Sequence, residues 1–393
     1  MASAVMPTYT RAPIVFTHGK GCELFARDGR RYLDFAAGIA VCALGHAHPG
    51  LVAALAEQAG RLWHCSNLFE IEGQERLAAR LAELSFGDVV FFGNSGAEAN
   101  ECAIKLARRH HAAAGRAERW RILGFEGSFH GRTLATLAAA GNPRNLQNFG
   151  PVVPGFEQAP FGDLDAVAAR LGPETAAILV EPIQGDGGIR VAPPGFLAGL
   201  RALADRAGIL LIFDEIQSGI ARSGTLFAHA HDGVAPDVMT LAKGLGGGFP
   251  VGACVATHHA AAGMTGGSHA STFGGNPLAM AVANAVLDVV AQPAFLARVA
   301  RAAARLGAGL DRLVAAHPGV FEARRGRGLM AGLRCRADSG EVAGRLRDAG
   351  LLVAPAQDRV VRFLPALVVD DAQIDEALAI VDAVARRNAD RAA

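Results

Sequence analysis

This 393-residue sequence predicts an α/β fold: a large domain with a mostly parallel sheet, plus a smaller α+β domain from both chain ends. Three observations carry the prediction. Between about residues 85 and 280, short apolar β-branched runs alternate with helix-period stretches, the pattern of parallel strands joined by crossover helices. One run, Gly208-Ile209-Leu210-Leu211-Ile212-Phe213-Asp214, is apolar without alternation, as in a strand buried on both faces. Beyond Asn276-Pro277, long helical periods give way to a mixture of strands and helices.

Each element has its own signal. The first 45 residues contain Arg27-Asp28-Gly29-Arg30-Arg31, where Asp-Gly between extended runs predicts a hairpin. Apolar runs predict strands at 89–92, 122–126, 177–181, 210–214, 238–242 and 251–257. Helical periods follow at 277–292 and 294–316, then strands at 329–335 and 360–364 and helices at 339–349 and 371–387. The expected division is 51–284 for the large domain and 1–50 with 285–393 for the small one. No internal repeat or low-complexity linker interrupts this order.

Composition narrows the partners. The chain is 51% apolar and 19% charged with 48 glycines, the make-up of a globular enzyme. A formal charge of +1 gives no long-range pull toward nucleic acid or an anionic membrane, so small molecules and copies of the chain are the expected partners. Cysteines 22, 42, 65, 102, 254 and 335 form no Cys-x-x-Cys pair. They read as free thiols in a reducing compartment, not as metal ligands or a disulfide framework. The N-terminus shows no basic start followed by an apolar core, and no apolar run is long enough to span a bilayer, so a cytoplasmic protein is expected.

Lysine is the informative residue. There are three lysines against 35 arginines, so arginine supplies the surface charge. Lysine can lose its proton and form an imine, whereas arginine cannot. One of the three, Lys243, ends a predicted strand and is followed by Gly244, Gly246, Gly247 and Gly248, which let backbone approach a ligand. Asp214 ends the most apolar strand, at the edge where open parallel sheets bind ligands. Lys243 should emerge at that same edge. Gly93-Asn94-Ser95-Gly96-Ala97-Glu98 begins a helix with small residues and a Ser-x-x-Glu capping pattern, leaving N–H groups suited to a phosphate. Two loops, Gly127-Ser128-Phe129-His130-Gly131-Arg132-Thr133 and Ser271-Thr272-Phe273-Gly274-Gly275-Asn276-Pro277, add an aromatic face, an arginine and two hydroxyls. Singly, each has a plainer reading: a solvated lysine, an ordinary capped helix, a core phenylalanine, a turn-forming threonine. Together they supply what pyridoxal phosphate requires of a protein: an imine-forming amine, an acid for the ring nitrogen, a phosphate cradle and a stacking aromatic.

At these positions the sequence resembles the class-III, fold-type-I aminotransferases that use pyridoxal 5'-phosphate, over essentially its whole length. The resemblance rests on Asp34-Phe35-Ala36-Ala37-Gly38-Ile39-Ala40-Val41, Gly45-His46-Ala47-His48-Pro49, Asn94-Ser95-Gly96-Ala97-Glu98-Ala99, Phe129-His130-Gly131-Arg132-Thr133, Glu181-Pro182-Ile183-Gln184-Gly185, Asp214-Glu215-Ile216-Gln217, Lys243-Gly244 and Arg362-Phe363-Leu364-Pro365. Their joint occurrence in this order is specific. Within the family it is strongest to bacterial members acting on acetylornithine, with 2-oxoglutarate as the acceptor, a step of arginine biosynthesis.

The resemblance implies roles. Lys243 would hold the cofactor covalently and carry the proton. Asp214 would keep the pyridine nitrogen protonated, Gln217 would meet the ring's phenolic oxygen, and Phe129 would stack on the ring. Gly96 and Ala97 would bind phosphate through backbone N–H groups, and Thr272 would reach the phosphate of the neighbouring subunit, so the site would be shared within a homodimer. Arg132, with Ser271 nearby, would take the distal carboxylate of the amino donor. Arg362 would anchor the carboxylate next to the keto carbon of 2-oxoglutarate, with Glu181 and Asp186 also on the substrate side. In ω-aminotransferases of this type a glutamate masks that arginine in one half-reaction. Here Asp186 stands in its place, one methylene shorter, which points to a water bridge or a backbone shift with the gating kept. Ile39 stands near the place where ornithine-using relatives tend to carry an aromatic, which favours an acylated donor. N-succinyldiaminopimelate, ornithine and 4-aminobutyrate are the alternative donors.

Two other classes compete. A dinucleotide-binding dehydrogenase needs Gly-x-Gly-x-x-Gly after a first strand, but Gly244-Leu245-Gly246-Gly247-Gly248-Phe249 lacks the last glycine and follows a late strand. A non-catalytic binding protein on this fold would not need both Lys243 and Asp214.

Overall fold

The computed structural model describes residues 4–392, with side chains through residue 387. The central sheet has seven strands in the order Val89–Gly93, Gly252–Ala256, Val238–Leu241, Leu210–Asp214, Thr175–Val180, Arg121–Phe125 and Phe156–Ala159. Gly252–Ala256 runs antiparallel to both neighbours; the other pairings are parallel. The segment 242–251 before that strand holds one 3-10 turn and no crossover helix, so the chain can only return antiparallel. Lys243 sits in this return.

Six of these strands coincide with apolar runs in the sequence. The seventh, Phe156–Ala159, lies at the sheet edge and carries half-buried Glu157 and Gln158, so it has no continuous apolar signature. Thr175–Val180 and Leu210–Asp214 are buried along their whole length. One face packs Ile212 and Leu179 against Cys102 and Leu106 of helix Gly96–Ala113. The other packs Phe213 and Val180 against Phe196 and Leu200 of helix Phe196–Ala207. Each such fully buried aliphatic or aromatic side chain contributes about 1.5–3 kcal/mol, which fixes the sheet as a rigid floor for the loops at its carboxyl edge.

The chain ends meet. The hairpin Glu23–Ala26 and Arg31–Asp34 turns over Asp28-Gly29, and Arg31–Asp34 then pairs in parallel with Leu351–Leu352. A second sheet orders Phe321–Arg327, Met330–Cys335, Val360–Phe363 and Ala354–Pro355. Its outer strand, Phe321–Arg327, carries three arginines and went unseen in the sequence because its face is only partly covered. Helix Pro293–Ala316 packs on helix Asp371–Ala392, while Pro277–Val290 packs on Pro49–Ala59. The largest apolar cluster is continuous from Leu241 and Val255 of the central sheet through Val286 to Leu333, Val361 and Val381. Among the described residues no single helix is long and apolar enough to cross a membrane.

Candidate active site

The carboxyl edge of the central sheet opens into a cavity of about 450 Å³ lined by Gly96, Ala97, Phe129, Asp214, Gln217 and Lys243, among others. The strands dictate this. Asp214 is the last residue of its strand and stands in register with Thr240 of the next, three residues before Lys243. Lys243 adopts φ +42°, a left-handed conformation that a side-chain-bearing residue holds only where the surroundings impose it. Gly246 closes the same turn. A Cβ there would lie 1.9 Å from the Phe249 carbonyl oxygen, so only glycine fits.

Asp214 is buried and held on three sides. Its Oδ2 accepts from His130 Nδ1 at 2.7 Å and from Asn100 Nδ2 at 2.8 Å, while Oδ1 accepts from the Ile216 N–H at 3.0 Å. Thr240 Oγ1 donates to Asn100 Oδ1 at 2.8 Å, which fixes the amide's orientation. Burial opposes charge on His130, but the hydrogen bond and charge of Asp214 outweigh it and raise its pKa. Sequence reasoning gave neither His130 nor Asn100 a role. The usable signal was Asn100 itself, a polar residue beside Ala99, Cys102 and Ala103 in a helix that buries small side chains.

Burial pulls the Lys243 amine down from the usual lysine range to about 8, reinforced by the Arg362 guanidinium and opposed by Asp214, Glu181 and Asp186. A substantial neutral fraction at physiological pH is what an amine nucleophile needs. Helix Gly96–Ala113 starts at the cavity wall. By helix geometry the N–H groups of Gly96 and Ala97 have no intrahelical acceptor. Ser95 Oγ accepts from the Glu98 N–H at 3.2 Å, but the Glu98 carboxylate reaches back to the Asn94 N–H, one residue beyond the reciprocal bond of a simple capping box. The end is thereby tied down while its first amides stay open.

Arg132 lines the cavity, its guanidinium carbon 5.7 Å from the Phe129 ring centroid. Glu181 is buried, and its carboxylate accepts from the Phe129 N–H at 3.0 Å and the Gly185 N–H at 3.2 Å. It thus braces the aromatic loop and the turn before Asp186. Burial raises its pKa, and His130 opposes the shift. Arg362 is buried behind the wall: Nη2 donates to the Pro355 carbonyl at 2.9 Å and stands 3.6 Å from Asp186 Oδ1. That is ion-pair range and too long for a direct hydrogen bond, in keeping with the shorter acid. Asp186 lies on the cavity side and Arg362 does not. Ser271 and Thr272 line a different depression with Asn67 and Phe91. Ser271 Oγ accepts from the Gly274 N–H at 2.9 Å and from Asn94 Nδ2 at 3.4 Å, so its loop borders the cavity wall at Asn94.

The mouth carries an unusual backbone. Ala37, Gly38, Ile39 and Ala40 all have positive φ, and Val41 after them lines the cavity. Left-handed residues cost roughly 1–2 kcal/mol each. Asp34 offsets this by accepting from the Ala36 and Ala37 N–H groups at 2.9 Å and from His46 Nε2 at 2.7 Å.

A lysine amine and a buried carboxylate at the carboxyl edge of a sheet, facing an open helix end, define an enzyme that handles amines. The chain belongs to the class-III aminotransferases, whose pattern matches residues 4–384. It is 57% identical over 388 residues to the acetylornithine aminotransferase of Mesorhizobium japonicum, covering 99% of this chain and 97% of that one. The structure of N-acetylornithine aminotransferase from Stenotrophomonas maltophilia superposes with a TM-score of 0.85 at 40% identity, covering 98% of both chains. An ornithine aminotransferase from Toxoplasma gondii, reported with partial occupancy of pyridoxal phosphate at its active site, superposes with a TM-score of 0.92 at 34% identity, over 97% of this chain and 92% of that one.

Proposed function

We propose that this chain transfers the ω-amino group of N2-acetylornithine to 2-oxoglutarate with pyridoxal 5'-phosphate, in a cytoplasmic homodimer. The observation that carries the reading is that Lys243 and Asp214 line one cavity with the open end of helix Gly96–Ala113. The cavity also fits the cofactor in its unpaired atoms: Gln217 Oε1 and His130 Nε2 are buried without a partner in the chain. Buried polar atoms are normally satisfied, so both point to a ligand's polar atoms or ordered water.

When bound, the cofactor supplies the electron sink for the bond broken at the amine-bearing carbon. Lys243 Nζ would hold it covalently and carry the proton to and from that carbon. Asp214, itself held by His130 and Asn100, would keep a proton at the ring nitrogen. Gly96 and Ala97 would donate their N–H groups to phosphate, with Gln217 at the phenolic oxygen and Phe129 against a ring face. Arg132 takes the donor's distal carboxylate. Arg362 takes the carboxylate beside the keto group of 2-oxoglutarate once Asp186 swings aside, its planar fork matching a carboxylate in two bonds. With Asp186 in place the arginine is covered, and an α-amino acid has no anchor in the wrong orientation.

Support for the dimer comes from the surface. Trp63, Leu68, Phe69 and Phe273 are all exposed, and Asn67 ties their two loops together by donating to the Ser271 and Gly274 carbonyls. Clustered large apolar side chains of this kind mark an interaction face, and exposed Thr272 lies beside Phe273 on it. The test of the function is a donor series with 2-oxoglutarate as acceptor. Acetylornithine is expected to give the highest kcat/KM. Preference for ornithine or 4-aminobutyrate by tenfold or more would refute the assignment.

A further inference from the structure

We propose that Cys102 and Cys254 form a peroxide-oxidisable thiol pair, a modification site outside the Lys243 cavity whose disulfide clamps the helix that holds Asp214. The two cysteines are far apart in sequence but packed in one cluster, Cys102 on helix Gly96–Ala113 and Cys254 on the antiparallel strand Gly252–Ala256. The two thiols share this cluster, close enough for each to influence the other's proton, and the His269 ring lies near them on the same cavity wall. Lys105, another of the three lysines, lies 2.8 Å from His269 Nδ1, and the His269 ring packs 4.5 Å from that of Phe91. Both thiols line a second cavity of about 470 Å³ with His258 and His269, and it shares no lining residue with the first. Both residues are buried, and this cavity is where they border open space.

The pair is asymmetric in the way oxidation requires. The neighbouring Cys254 thiol pulls the Cys102 pKa down; burial opposes this, and His269 and Lys105 assist. Cys254 is pushed up in turn, because it keeps the shared proton. One nucleophilic sulfur beside one resolving thiol is the arrangement of reversible redox sites. Among the described residues no group of three His, Cys, Asp or Glu is arranged to hold a metal ion.

The chemistry balances with a hydroperoxide as oxidant. The Cys102 sulfur attacks one peroxide oxygen and the O–O bond breaks. Cys102 becomes a sulfenic acid and the other oxygen leaves as water, carrying the Cys102 proton. The Cys254 sulfur then attacks the Cys102 sulfur. The S–S bond forms, the S–O bond breaks, and hydroxide leaves as a second water with the Cys254 proton. Two thiols are oxidised by two electrons in total, and one hydrogen peroxide is reduced to two waters.

The consequence reaches the acid. Cys102 lies two residues beyond Asn100, and Cys254 faces Thr240 across the strands. Asn100 and Thr240 form the chain of bonds that orients Asp214. Drawing the two sulfurs to bonding distance shifts helix against strand at that point.

The test treats the dimeric holoenzyme with graded hydrogen peroxide and maps its peptides without reduction. A 102–254 linked peptide is expected, two hydrogens lighter than its parts and cleaved by dithiothreitol, with activity falling in step with the linked fraction and returning on reduction. A Cys254→Ala variant is expected to stop at a dimedone-reactive sulfenic acid on Cys102. Oxidation of half-buried Cys42 and Cys65 while 102 and 254 stay reduced would overturn the site. A linked protein of full activity would overturn its coupling to Asp214. The mapping needs no variant to fold and does not depend on which donor the enzyme prefers.

Discussion

His130 Nδ1 stands 2.7 Å from Asp214 Oδ2, with both side chains buried in the cavity wall. The imidazole shares that oxygen with Asn100, while the other oxygen accepts from the Ile216 N–H. Asp214→Asn removes the charge and is expected to lower kcat by roughly 10²–10³-fold, the scale of losing one preorganised electrostatic group. His130→Phe keeps the charge but frees its orientation and leaves a buried acceptor short of a donor, at about 1–3 kcal/mol. A smaller fall in kcat with a lowered denaturation midpoint is expected. Equal effects from both variants would show that orientation, not charge, is what Asp214 supplies.

The depressed Lys243 pKa gives a pH dependence with a definite sign. The amine reacts only when neutral, so covalent uptake of pyridoxal phosphate by the apoprotein should rise with pH through a midpoint near 8. The apoprotein's stability should also rise with pH between about 8 and the ordinary lysine value, because the unfolded chain binds the proton that the folded chain releases there. Uptake rates followed by absorbance across pH 6 to 11 check the first. A midpoint near the ordinary lysine value would mean that Lys243 is solvated when it reacts.

Asp186 and Arg362 stand 3.6 Å apart, the pair proposed above as a gate. Asp186→Asn abolishes its charge and is expected to cut the preference for ω-amine over α-amine donors about tenfold, a loss of about 1.4 kcal/mol in discrimination. Single-turnover rates of the two half-reactions measure it. An unchanged preference sinks the gate and leaves Asp186 as a wall residue.

Arg222 is buried, and its Nη1 donates to the Leu329 carbonyl at 3.0 Å and the Pro365 carbonyl at 2.6 Å. No described carboxylate pairs with it, and burial lowers its pKa to about 10. It fastens the loop after the Asp214 strand to the C-terminal sheet. Arg222→Ala strands two carbonyls and is expected to destabilise by about 2–4 kcal/mol, read as a lowered chemical-denaturation midpoint. Arg222→Lys should not restore it, since one ammonium cannot reproduce the planar fork.

Much of this was legible in the sequence, for identifiable reasons. Strands buried on both faces announce themselves as unbroken apolar runs, and Leu210–Asp214 was found to the residue. Lys243, Asp214, Gly96, Ala97, Phe129, Gln217, Arg132, Glu181 and Asp186 all line the cavity because each ends a strand, opens a helix or sits in a loop at one edge of the sheet. What stayed hidden has no one-dimensional trace. Phe156–Ala159 and Phe321–Arg327 are strands with a wet face. The partners of Asp214 come from residues 100 and 130, brought together only by folding. The left-handed turn at 37–40 places two alanines and an isoleucine around Gly38, residues that ordinarily disfavour it. The Cys102–Cys254 contact joins a helix to a strand that the sequence did not show running antiparallel.

With three lysines in the chain, one measurement reaches the centre of the account: borohydride reduction of the holoenzyme followed by peptide mass mapping. A pyridoxyl-phosphate adduct on Lys243 alone, absent from Lys243→Ala, is the expected result. An adduct on Lys20 or Lys105 instead, or none at all, would contradict it.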